Sequence, residues 1–117
     1  MVKQHPSAVL VFHTPPFAYP STYKNWVATF TKNRVIAIHG DRDFILAGGL
    51  MSYGIVELGN WRQSARFVVR ILKGVKPGDI PIEQPTKFEL VINLKTAKAL
   101  KMRIPQSLLI RADRVIE

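Results

Sequence analysis

The chain has 117 residues, 47% of them hydrophobic, which fits one domain with a packed core and excludes a disordered chain. No cysteine is present, which excludes a disulfide framework and any thiolate site. The net charge of +9 is scattered, with no run of five like charges, so it reads as a solvated basic surface and nucleic acid is not the expected partner.

Taken in order, Ala8-Val9-Leu10-Val11-Phe12 is an apolar run rich in β-branched residues. It predicts a strand buried on both faces, as in a parallel sheet. The apolar stretch is too short for a secretory signal, so the chain as written is expected to remain in the cytoplasm. His13-Thr14-Pro15-Pro16 stops the strand. Ser21 then caps a helix with Tyr23, Trp26, Val27 and Phe30 on one face, and Asn33 closes it in the left-handed region. Val35 to Ile38 predicts a second buried strand, ending at His39-Gly40. Asp41 caps a short helical piece through Leu46, which Gly48-Gly49 terminates.

Leu50 to Tyr53 predicts a third strand, and Gly54 releases the backbone into a long helix. Leu58, Trp61, Ala65, Val68 and Leu72 line one face of that helix, and Arg62, Arg66 and Arg70 another. Trp26 and Trp61 are both expected in the core. Gly74 ends the helix and Pro77 prevents its return. Lys87 to Ile92 alternates as an edge or one-sided strand does. Asn93 caps a helix through about Lys101, and Pro105 opens a final helix with Leu108, Ala112 and Val115 on one side. The alternation predicts an α/β fold: a three-layer Rossmann-like lobe with a mainly parallel sheet, plus a C-terminal strand-helix-helix crossover and tail.

Function is sought where strands end, because ligands gather at strand carboxyl ends in open α/β sheets. His13, Thr14 and His39 fall there, as do Ser52, Tyr53 and Gly54. The histidines serve as polar ligand contacts or as plain loop residues. Asp41 and Asp43 are the acidic residues near them, too few for a metal site. No P-loop, G-x-G-x-x-G or G-x-S-x-G motif occurs, and no nucleophile has an evident activator. No catalysis and no cofactor are expected. A second reading is a stand-alone dimeric interaction protein whose Arg62, Arg66 and Arg70 face binds anions or nucleic acid.

From Ala47 onward the chain resembles a family of ABC-transporter substrate-binding proteins. The resemblance rests on Ala47-Gly48-Gly49-Leu50-Met51-Ser52-Tyr53-Gly54 and Arg70-Ile71-Leu72-Lys73-Gly74. It continues through the run Glu83 to Leu100, then Arg111-Ala112-Asp113 and Val115-Ile116-Glu117. Two positions depart from the pattern: Ile55-Val56 stand where the family tends to have Pro-Asp, and Lys101 stands where it tends to have Gly.

The resemblance implies a type I periplasmic-binding-protein-like fold, with ligand held between two α/β lobes. Residues 1–74 would be a partial second lobe, and 75–117 the crossover segment and C-terminal helices. It implies an exported protein that hands a small organic solute, such as an aromatic amino acid, to an ABC permease without chemistry. Ser52, Tyr53 and Gly54 would lie in the cleft. A homo-oligomer is expected, through the Ala8 to Phe12 flank or through exchange of the tail or of the Phe88 to Ile92 strand.

Overall fold

The computed structural model describes residues 8–12, 14 and 19–117, the side chains of residues 57 and 58 excepted. It forms two compact units, Met1–Gly54 with Glu89–Glu117, and Ile55–Phe88. His13 lies outside the described residues.

The sheet has five strands in the order β1 (Ala8–Val11), β2 (Ile36–His39), β3 (Met51–Ile55), β4 (Phe88–Asn93) and β5 (Arg114–Ile116). The pairs β1–β2, β2–β3 and β4–β5 are parallel. This is the mostly parallel sheet of a Rossmann-like lobe, as the alternation of strand and helix patterns predicts.

Side-chain alternation sorts the strands into two cores. Ala37 of β2 and Val91 of β4 point to the face covered by α1 (Pro20–Lys32) and α2 (Asp43–Leu46), where Tyr23, Phe44 and Ile45 are buried. Trp26, Val27 and Phe30 pack onto the same cluster, so the predicted α1 stripe is the buried one. Met51 and Ile92 point to the other core, with Ala97 of α4 (Leu94–Ala99) and Ile104. Leu108 and Leu109 of α5 (Gln106–Leu109) and Ala112 pack against it.

Several expectations are corrected. β1 is an edge strand of the described sheet, with Ala8 and Leu10 exposed and only Val11 buried, so its apolar run is not buried on both faces. β4, expected as an edge or one-sided strand, is not at an edge but lies between β3 and β5. The final helix stops at Leu109 and Val115 belongs to β5. A long-range clasp decides this. Asp113 N–H donates to the Leu90 carbonyl at 2.9 Å, and Leu90 N–H donates to Asp113 Oδ2 at 2.8 Å. The tail packs within its own unit in the single chain. Ser21 is not the N-cap of α1: Tyr19 is, and Pro20 occupies the first turn. Asn33 has φ −91°, and the left-handed residue is Arg34 at φ 53°.

In the second unit, α3 (Glu57–Leu72) carries the predicted apolar stripe, but Trp61 is 71% exposed and Val68 and Leu72 are exposed too. Trp61 is therefore not a core residue. Gln63 donates to Glu83 Oε2 at 2.7 Å, which ties the segment after the helix back along it.

Candidate functional site

Val11 and His39, the last residues of β1 and β2, lie in register with Ser52, the second residue of β3. All three of those side chains are buried, His39 to 1% exposure and Ser52 to 2%. One residue further along two of these chains the side chains turn outward. Phe12 and Tyr53 are exposed, and Thr14 is exposed as well. The expected site residues therefore fall into a buried row, His39 and Ser52, and an exposed rim, Thr14 and Tyr53.

Gly54 belongs to β3, and a Cβ on it would run into the carbonyl oxygen of Gly40. Backbone contact fixes this residue type. The loop after β2 is drawn tight by its own polar groups. Asp41 N–H donates to His39 Nδ1 at 2.9 Å, and Asp43 N–H donates to Asp41 Oδ1 at 2.9 Å. Asp41 is not the N-cap of α2 that its position predicts: Arg42 is, and Asp41 forms a turn of its own just ahead of it. Because Nδ1 is an acceptor here, the geometry assigns the hydrogen of a neutral His39 to Nε2.

Tyr23 completes the arrangement. Its hydroxyl donates to Asp41 Oδ2 at 2.6 Å from the buried face of α1. The His39 ring stacks on Phe44 with centroids 4.8 Å apart, and meets Tyr23 edge-on at 5.1 Å. His39 is thus a buried, oriented ring and not a loop histidine. Helical spacing marked Tyr23 as a core residue and gave no sign of its bond to Asp41, 18 positions away. Phe12 also escaped notice as a rim residue, since it ends an apolar run. An aromatic residue just past a strand end was the available signal.

Among the described residues, no group of three or more His, Asp or Glu is placed to hold a metal ion. No described helix is long and apolar enough to cross a membrane. The basic face of α3 is partly countered, because Arg66 lies 3.4 Å from Glu83.

The open, mostly parallel sheet with helices packed on it is that of a Rossmann-like lobe. The sequence matches the model of the ABC transporter substrate binding protein family over residues 2–116, and the chain belongs to that family. A comparison with curated proteins finds no match.

Three solved structures are similar. A Streptococcus pneumoniae ABC domain, solved in complex with L-Trp, is 28% identical with a TM-score of 0.83, covering 94% of this chain and 37% of that one. A conserved domain protein from Vibrio cholerae is 22% identical with a TM-score of 0.85, covering 93% and 36%. The ligand-free, open form of a Clostridium difficile substrate-binding protein with adhesive properties is 21% identical with a TM-score of 0.64, covering 93% and 36%. The last two bear on the fold alone. The chain spans little more than a third of the length of these structures.

Proposed function

We propose that this chain supplies a ligand-holding lobe of the solute-binding component of an ABC-type importer. It binds a small organic solute outside the cytoplasm and passes it unchanged to a membrane permease. Thr14 and Tyr53 offer side-chain contacts at the rim, and Gly54 offers its backbone. His39 and Ser52 hold the row beneath, with His13 next in sequence to the rim residues. No step of this role makes or breaks a covalent bond.

The observation that carries the reading is the family match over residues 2–116. Its support is the L-Trp complex of the Streptococcus pneumoniae relative, which makes aromatic amino acids the first solutes to try. Calorimetry with these amino acids, on the parent chain and on a Ser52→Ala/Tyr53→Phe double variant, tests the role. Loss of both hydroxyls is expected to weaken binding about fivefold, the worth of one net hydrogen bond of about 1 kcal/mol. Equal and measurable binding by both proteins removes these hydroxyls from the site.

A further inference from the structure

We infer that the residues joining β2 to α2, Gly40 to Arg42, form a wall of the solute site, and that Tyr23 is the positioning residue that holds this wall through its bond to Asp41. The inference rests on the solute-binding reading and adds to it a residue from the buried face of α1.

The loop lies where it bears on the site. Ligands of open α/β sheets sit outside the carboxyl ends of the strands, and the connections after those strands flank them. Gly40 follows the last residue of β2, and its carbonyl lies directly against Gly54, the glycine proposed to offer its backbone to the solute. Gly40 N–H donates to the Val11 carbonyl at 3.2 Å. The start of the loop therefore touches both neighbouring strands, and a displaced loop disturbs the backbone at Gly54.

The next residue is held from the core. Asp41 N–H donates to His39 Nδ1 at 2.9 Å, and Asp41 Oδ1 accepts from Asp43 N–H at 2.9 Å. Both bonds span two positions, so they shape the loop without placing it. The bond from the Tyr23 hydroxyl to Asp41 Oδ2, 2.6 Å long, spans 18 positions. Of the three it is the one that refers the loop to the core.

The Tyr23 side chain is suited to that task. It is buried, and its ring meets His39 edge-on at 5.1 Å and Phe44 at 5.9 Å. Those contacts need an aromatic ring alone, which phenylalanine would supply. The hydroxyl adds the bond to Asp41, at the short distance of a charge-assisted pair. A ring locked by packing thus carries one polar atom out to the loop.

The test uses the full chain, with L-tryptophan, L-phenylalanine and L-tyrosine as probes. Calorimetry is run well below the melting temperatures of all variants. Tyr23→Phe keeps the ring and removes the hydroxyl. It is expected to weaken binding about fivefold, as when a released loop holds its binding position a fifth of the time. Asp41→Ala is expected to weaken binding at least as much. Adding Tyr23→Phe to Asp41→Ala is expected to change nothing further, because the two residues act through one bond. In the parent chain, a saturating probe is expected to shift the amide NMR signals of Gly40 and Asp41.

A hydroxyl that serves stability alone lowers the melting temperature of Tyr23→Phe and leaves its affinity at the parent value, and that result overturns the positioning role. A Tyr23→Phe loss of the same size in the Asp41→Ala background overturns it too. Amide shifts that bypass Gly40 to Arg42 at saturation overturn the wall, while leaving the solute-binding reading in place. Absence of binding by the parent to all three probes overturns both.

Discussion

Gly54 shows how a single residue type is fixed by its neighbour's backbone. An added Cβ would collide with the Gly40 carbonyl oxygen and lie 2.8 Å from its carbonyl carbon. Neither is a flexible side-chain end, so the strands must separate or shift. Gly54→Ala is expected to destabilise the chain by about 1–3 kcal/mol, the usual range for overpacking. Gly59→Ala is the control, because a Cβ there meets nothing within 4 Å and the residue lies inside α3. That change is expected to stabilise by up to about 1 kcal/mol through helix propensity. Denaturant titration of the two variants decides it, and a shift of the same sign in both would sink the account of Gly54. The glycines of 47–54 were legible as punctuation, and Gly48 at φ 102° does end α2. What they pack against was not legible. Gly49 is constrained by the Phe44 ring and Gly54 by Gly40, and both depend on the folded path of the chain. The burial of His39 was hidden for the same reason, since Phe44 and Tyr23 reach it only after α1 and α2 dock.

At the scale of elements, four helices end alike. In α1, α2, α3 and α4 the residue after the C-cap has positive φ: Arg34, Gly48, Gly74 and Lys101. At each end the residue beyond it donates back to the helix, as Met102 N–H does to the Ala97 carbonyl at 2.8 Å and Val35 N–H to the Phe30 carbonyl at 2.9 Å. This is the Schellman arrangement, which favours glycine at the left-handed position. Two of the four ends were readable because glycine stands there. Arg34 gave no signal, and Lys101 gave one only through the family resemblance, in which glycine tends to stand at that position. Lys101 is at φ 55°, in a region that strains L-residues by roughly 1–2 kcal/mol. Glycine removes that strain and gives back part of the gain through its freer unfolded chain. Lys101→Gly is therefore expected to stabilise by about 0.5–1 kcal/mol, raising the melting temperature by a few degrees. Lys101→Ala keeps its Cβ and is expected to gain nothing. Equal melting temperatures for the two variants would remove the strain argument. The strand β5 was illegible for a different reason. Leu108, Ala112 and Val115 mimic a helical stripe, while the Asp113–Leu90 clasp that pulls the chain into the sheet spans 23 positions.

At the scale of the whole molecule, the two edges of the sheet differ in how they meet solvent. β5 has three residues and carries Arg114, and a short charged edge discourages further pairing. β1 has four residues, Ala8-Val9-Leu10-Val11, none of them charged or proline. Leu10 is 59% exposed on it. Among the described residues no strand pairs with the outer flank of β1, and such a flank offers main-chain donors and acceptors beside apolar side chains. A twofold axis along that flank would set β1 antiparallel to its own copy and join two sheets into one. The expected state is a dimer or larger, with β1 as the contact and the C-terminal tail as a bystander. Leu10→Lys places a charge on the flank of each copy, so the two ammonium groups of a symmetric pair repel across the axis. Because Leu10 is exposed, this change is expected to leave the melting temperature of the monomer near that of the parent chain. Light scattering after size exclusion, run across a hundredfold range of concentration, reads the outcome: dimer for the parent chain and monomer for Leu10→Lys. A parent chain that stays monomeric throughout, or a Leu10→Lys variant that stays dimeric, removes β1 as the interface.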